Sequence, residues 1–278
     1  MRIPNPRIFQ VAVLVSVTAL FAISGHAAVA VFSNASVKGS YSFLINKWTA
    51  DVNAGQDGVL GVLHFDGAGN VTGSFSDMHA GTLQTGTATG TYMVSSNGTG
   101  SINLMLTPGG TVQFAIVLNT TKAGVANGLN LLITSDTDNA VESGTAILQT
   151  TAAASYTAAS LKGNLAFQVN QWTADVSRNQ IGGVGRFSFN GAGKVTASYT
   201  QMKGGVLQTQ NCTGTYTVNS DGTGALSLAC GTDTPQIAVV LNSVAVNPAG
   251  VGLAKGFQLL STNENGNNRV FSGIALKQ

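Results

Sequence analysis

Charge is what this sequence has least of. Its 278 residues include 13 Lys or Arg and 11 Asp or Glu, 9% of the chain, where an average soluble domain carries roughly 25%. That shortage excludes a charge-rich disordered tail, a long coiled coil and a basic nucleic-acid binder. Proline is also rare, at 5, so the 35 glycines, which follow no strict three-residue period, belong neither to collagen nor to a proline-rich linker. Three His and two Cys leave little material for metal or nucleophile chemistry. The sequence has no G-x-S-x-G elbow, no H-E-x-x-H, no phosphate-binding glycine loop and no cysteine cluster, so no cofactor is expected. What is abundant is hydrophobic residues, 44% of the chain, interleaved with Gly, Thr, Ser and Asn at turn-like intervals. This is the composition of a globular, turn-rich, all-β protein.

Residues 1–30 read as a secretory signal peptide. Arg2 and Arg7 supply the positive start, the run from Ile8 to Ile23 is apolar, and Ala28 and Ala30 fit an A-x-A site that places cleavage after Ala30. The run is too short for the ~20 residues of a spanning helix. Taking Arg2 and Arg7 from the 13 basic residues leaves 11 against 11 acidic ones, so the mature chain is neutral and has no charge to steer it to nucleic acid or an anionic membrane. Export to the periplasm or beyond follows, with no membrane span in the mature chain.

The strongest signal is internal repetition. Lys38-Gly39 recurs as Lys162-Gly163, Trp48-Thr49-Ala50-Asp51-Val52 as Trp172-Thr173-Ala174-Asp175-Val176, Gly67-Ala68-Gly69 as Gly191-Ala192-Gly193, and Gly90-Thr91-Tyr92 as Gly214-Thr215-Tyr216. The units run over 36–149 and 160–278, joined by a small-residue linker at 150–159. Within each unit apolar residues alternate with period two: Tyr41, Phe43 and Ile45 match Leu165, Phe167 and Val169, and Leu63 and Phe65 match Phe187 and Phe189. Eight strands per unit, joined by short turns, predict two tandem up-and-down antiparallel barrels, because closure removes exposed edges. Two β-sandwiches and one sixteen-stranded barrel are the alternatives. Polar outward residues such as Ser42, Asn46, Thr72 and Thr91 argue against a membrane-spanning barrel.

Cys212 and Cys230 are equidistant from Asp221 in the turn Asn219-Ser220-Asp221-Gly222. A hairpin closed there sets them opposite one another on the inward face, which predicts a disulfide in an exported protein. The first unit has Ala88 and Leu106 at those places, so the two cysteines are present together or absent together.

Candidate chemistry is sparse. His64 and His79, with Asp77 near, read as solvated hairpin side chains before they read as a metal or base site. Asp51 and Asp175 are read as turn residues bonding local backbone. Asp136, Asp138 and Glu142 form an acidic loop whose spacing departs from that of a calcium loop. Trp48 and Trp172 end their first strands on the parity opposite the aromatic stripe, beside Asn46 and Asn170. A Trp beside amides at a barrel mouth could stack on a sugar or cap an apolar ligand, or simply plug the barrel end. Tyr92 and Tyr216, with Tyr41, Phe43 and Phe65, would line any cavity. Gly61 and Gly73, with Gly183 and Ala197, either leave room inside or relieve strain where strands bend. Met78 and Met202 read as gap-fillers.

The phrases F-D-G-A-G-N-V-T-G at Phe65–Gly73, G-T-Y at Gly90–Tyr92 and N-G-T-G at Asn97–Gly100, echoed in the second unit, resemble a repeat of uncharacterised Gly- and Thr-rich secreted bacterial proteins. The resemblance covers both units and implies export and a barrel-like unit, with no catalytic residues to carry over. Calycin-like and allene-oxide-cyclase-like barrels are similar in strand count only. Three readings follow: a non-enzymatic module binding a small apolar molecule or a glycan, a structural protein of the envelope or matrix, and a barrel-isomerase-like enzyme. The last requires a buried polar cluster inside a barrel, and the alternation shows none. The oligomeric state is open.

Overall fold

The structure, a computed structural model, describes residues 31–48, 57–79, 82–119, 121–135, 140–150, 155–173, 181–246, 252–263 and 269–278. The expected signal peptide, Asp51, Asp175, Asp136 and Asp138 lie outside them. Among the described residues no helix is long and apolar enough to cross a membrane.

Strands β1 (Lys38–Trp48), β2 (Asp57–Asp66), β3 (Asn70–His79), β4 (Thr82–Val94), β5 (Thr99–Thr107) and β6 (Thr111–Leu118) pair in sequence. A two-stranded excursion, β7 (Thr121–Lys122) and β8 (Val125–Ala126), precedes β9 (Gly128–Ile133) and β10 (Val141–Thr150). β10 returns to pair with β1, closing an eight-stranded antiparallel barrel. The second copy, β11 (Lys162–Thr173), β12 (Ile181–Asn190), β13 (Lys194–Lys203), β14 (Val206–Val218), β15 (Thr223–Ala229), β16 (Gln236–Val246), β17 (Gly252–Ser261) and β18 (Arg269–Lys277), closes through β18 on β11. The fold is therefore two separate closed barrels, as the alternation predicts.

Each interior is an apolar stripe from every strand. In barrel 1, Phe65 packs edge-to-face on Tyr41 (5.4 Å) and Tyr92 (5.0 Å). Phe189 repeats the contact with Tyr216 at 5.0 Å in barrel 2. Pairs of this geometry contribute about 0.5–1.5 kcal/mol beyond the area they bury. Each barrel is closed at the end where its first strand begins by a 3-10 turn, Asn34–Ser36 or Ala158–Ser160, which packs under a tyrosine. Tyr92 Oη lies 3.0 Å from the Asn34 carbonyl and 2.8 Å from that of Val37; Tyr216 Oη lies 2.8 Å and 2.9 Å from those of Ala158 and Leu161. At the same end Asp66 Oδ1 accepts the backbone N–H groups of Ala68, Gly69 and Asn70, and Asn190 Oδ1 those of Ala192 and Lys194. The repeated glycines make these turns possible: Gly67 and Gly191 sit at φ +82° and +79°.

Cys212 and Cys230 form the expected disulfide across the β14–β15 hairpin, with Cα atoms 4.4 Å apart. In barrel 1 Ala88 faces Leu106 at the same rung.

The barrels meet side by side. Leu60, Val62 and Met78 of barrel 1 pack against Val240, Leu260 and Val270 of barrel 2, all six buried, with Leu44 and Ala238 at the margin. Gly58 has no room for a side chain, since a Cβ there would stand 2.6 Å from Leu260 Cδ1 and 2.7 Å from Val270 Cγ1. Ser42 Oγ donates to Asn242 Oδ1 (2.6 Å), Ser272 Oγ to Asn46 Oδ1 (2.8 Å) and Gln149 Nε2 to the Leu241 carbonyl (2.8 Å). Ser42 and Asn46 thus point out of their barrel, as the alternation requires, yet into the seam rather than into water. Met78 fills that seam, while its counterpart Met202 is exposed.

Candidate functional site

The inward stripe of β1 does not end at Ile45. Two residues on, at the barrel end opposite the 3-10 turn, the same parity presents Lys47, and cross-strand pairing sets charged groups on both sides of it. Lys47 opposes Glu142 of β10, and Asp57, one residue before the last β1–β2 rung at Asn46 and Gly58, opposes His79 of β3. The Lys47 ammonium lies 3.6 Å from Asp57 and 3.5 Å from Glu142, and His79 Nδ1 lies 2.7 Å from Asp57 Oδ1. Asp77, one inward position deeper on β3 and opposite Val59, completes the group. Barrel 1 therefore holds a buried polar cluster of three carboxylates against one lysine and a half-exposed histidine. This corrects the expectation that no such cluster exists inside a barrel. The inward parity runs on past the apolar residues into charge at the strand ends.

Burial pushes the Asp77 carboxyl up to about 6, with the nearby Asp57 adding to the rise and His79 and Lys47 opposing it. Its Oδ1 is buried without a hydrogen-bond partner among the described residues. Asp57, Asp77 and Glu142 line one part of a cavity of about 160 Å³ inside barrel 1, whose remaining walls are mainly apolar, with Phe43, Phe75 and Phe114 foremost.

Barrel 2 supplies an internal comparison. By strand register, Lys47, Asp57, Asp77, His79 and Glu142 correspond to Gln171, Ile181, Gln201, Lys203 and Phe271. The ion pairs are gone, and Gln201 Nε2 donates instead to Gln208 Oε1 at 3.2 Å. Phe187 and Phe257 stand where barrel 1 has Leu63 and Leu129, and Phe187 packs on Phe167 at 4.2 Å and on Phe257 at 5.7 Å, filling the middle of the barrel. A polar depression of about 380 Å³ remains at the same end, over Gln171, Gln201 and Tyr199.

The structure disperses the residues to which the sequence points. Phe43 lines the cavity. Tyr41, Phe65, Tyr92 and Tyr216 pack towards the 3-10 turns, and the Tyr41 hydroxyl donates to the Ala126 carbonyl at 2.8 Å. Asn46 belongs to the seam, its counterpart Asn170 is half-buried beside Gly182, and Trp48 faces outward at 40% exposure next to Val141; the Trp172 side chain lies outside the described residues. His64 and His79 sit at opposite ends of the β2–β3 hairpin, with His64 bonded to Ser40 (2.8 Å), so the structure does not bring them together. Gly61 and Gly73 serve close backbone approach, since a Cβ at either would fall 2.1 Å or 2.4 Å from a neighbouring strand carbonyl. The signal that could have found Lys47, Asp57 and Asp77 is the inward parity carried to the strand ends; finding Glu142 also required the closing pair of β1 and β10.

No protein-family model matches the chain, and no curated protein matches it in sequence. Among solved structures it is similar to a protein of unknown function from the DUF3598 family of Nostoc punctiforme, at 13% identity and a TM-score of 0.27, over 88% of this chain and 98% of that one. It is also similar to kievitone hydratase from Nectria haematococca, at 10% identity and a TM-score of 0.24, over 87% of this chain and 89% of that one.

Proposed function

We propose that the chain is an exported tandem-barrel protein whose first barrel binds a small molecule with an apolar body and a protonated amine or similar donor as its head. The observation that carries this reading is the difference between the two barrels. Burying ion pairs costs more in desolvation than apolar residues of the same volume would. Barrel 2 closes with Gln171, Ile181, Gln201 and Phe271 in place of Lys47, Asp57, Asp77 and Glu142, and keeps a charge only at Lys203, so the fold does not need the buried ion pairs of barrel 1. The size of the cavity sets the scale of the ligand, because a cavity of about 150 Å³ holds benzene. A single ring or short branched chain therefore rests against Phe43, Phe75 and Phe114, and its head supplies the partner that Asp77 Oδ1 lacks. The mainly apolar walls favour such a molecule over a glycan. The disulfide supports export to an oxidising compartment.

Calorimetric titration with benzylamine, toluene and benzoate tests this. At pH 7.5 benzylamine binds most tightly and benzoate not at all, and the preference for the amine weakens below pH 6 as Asp77 takes up a proton. Asp77→Asn weakens benzylamine about tenfold, the loss of one charge-assisted hydrogen bond, and leaves toluene unchanged. Leu63→Phe, which installs the residue found in barrel 2, abolishes both. Equal affinities for benzylamine and benzoate, or undiminished binding by Leu63→Phe, would overturn the proposal.

A further inference from the structure

The seam between the barrels uses a different face of each. Barrel 1 contributes β1, β2 and β3 through Leu44, Gly58, Leu60, Val62 and Met78, with Thr145 and Gln149 at the far end of β10 bonded to Gln258 of β17 and the Leu241 carbonyl of β16; barrel 2 contributes β16, β17 and β18 through Val240, Leu260 and Val270. Because the barrels are copies, each also carries the face that the other uses, and the strand registers fix the correspondence. Leu60 opposes Ser76 as Val184 opposes Thr200, and Gly58 opposes Met78 as Gly182 opposes Met202. Thr99 opposes Val117 as Thr223 opposes Val240, Ala115 opposes Leu132 as Ala238 opposes Leu260, and Trp48 opposes Val141 as Trp172 opposes Val270.

Faces that meet only water would be expected to turn polar where the repeats have diverged. Instead Val117, Leu132 and Val141 on barrel 1, and Val184 and Met202 on barrel 2, remain large and apolar while 44% to 59% exposed. Gly182 points the same way. At Gly58 the side chains of the opposite barrel leave no space for a Cβ, whereas at Gly182 a Cβ would meet only Asn170 Oδ1, at 3.6 Å. Nothing among the described residues of the chain requires glycine there; a neighbour seated as barrel 2 sits on barrel 1 would. Asn170 and Ser143 likewise occupy the places of the hydrogen-bonded pair Asn46 and Ser272.

We infer that the chain self-associates head to tail: the β11–β13 face of barrel 2 in one copy seats the face of barrel 1 formed by β6, β9 and the Val141–Ser143 end of β10 in the next, in the manner of the seam within the chain. The occupant is a second copy because both halves of the contact are already seen joined once, and each chain leaves one of each unpaired. Such a contact is heterologous, so it propagates into open chains or closes into a ring. Arg186 in place of Val62, Gln168 in place of Leu44 and Ala166 in place of Ser42 make it weaker than the seam, so the assembly is reversible.

Sedimentation velocity over a concentration series tests this, with Leu132→Asp and Val184→Asp as variants. Both positions are exposed, and an unchanged thermal midpoint verifies folding. The unaltered protein sediments as multiples of the monomer that grow with concentration. Each variant alone stays monomeric. An equimolar mixture forms dimers and nothing larger, because one variant keeps a sound barrel 2 face and the other a sound barrel 1 face. A wild-type chain that stays monomeric up to its solubility limit, assembly that persists in both variants, or a mixture that stays monomeric would each overturn the inference.

Discussion

Asp77 is the residue on which the electrostatics of barrel 1 turn. Its carboxyl is raised from 3.8 to about 6, so the folded state holds a proton that the unfolded chain has released. Stability contributed by this group is therefore present below about pH 4 and lost as the pH rises through 6. A shift of that size sets a ceiling near ~3 kcal/mol, which partial exposure brings to about 2 kcal/mol. Asp77→Asn should be more stable than the wild type by that amount at pH 7.5 and no more stable at pH 4, as measured by urea unfolding at both values. A variant less stable at pH 7.5 would show that the carboxylate is better satisfied than its buried, unpartnered oxygen indicates. Asp66 behaves in the opposite sense. The amide of Asn70, with backbone N–H groups, holds its carboxyl down at about 2, and Asn190 does the same backbone capping in barrel 2 without titrating.

Strands and hairpins were legible in the sequence because period two and turn glycines are local signals. The disulfide followed from them by counting outward from Asp221. Closure could be anticipated, but what it juxtaposes could not. Glu142 reaches Lys47 across the β1–β10 pair, 95 positions away in sequence, and no local pattern reports that. The 3-10 turns were missed because three residues are too few to show a helical period, although Ser36-Val37-Lys38-Gly39 and Ser160-Leu161-Lys162-Gly163 are a repeated phrase that could have drawn attention to them. These turns test how the barrels are closed. Tyr92→Phe leaves the Asn34 and Val37 carbonyls without the hydroxyl and should cost about 1–2 kcal/mol. Tyr216→Phe should cost a similar amount, since its geometry is the same. Differential scanning calorimetry would check both, and no loss in either would mean that the turns are held by their apolar packing alone.

At the scale of the molecule, two copies of one scaffold have taken different paths. Barrel 2 has a disulfide, Phe187 and Phe257 in its middle, and Gln171, Ile181, Gln201 and Phe271 where barrel 1 has its buried lysine and carboxylates. Barrel 1 keeps smaller residues at those positions, a cavity and a set of charges its twin does without. The repeat was plain in the sequence, yet the division of labour was not, because it rests on which inward residues are large and which charged ones lie beyond the apolar stripe. This division of labour requires barrel 1 to be hollow and the middle of barrel 2 to be filled. Anomalous diffraction from a crystal of the protein pressurised with xenon, a probe that enters dry apolar cavities of this size, tests that most directly. A xenon peak is expected among Phe43, Phe75 and Phe114 and none in the middle of barrel 2 around Phe187 and Phe257. An empty barrel 1, or equal occupancy of the two barrels, would contradict it.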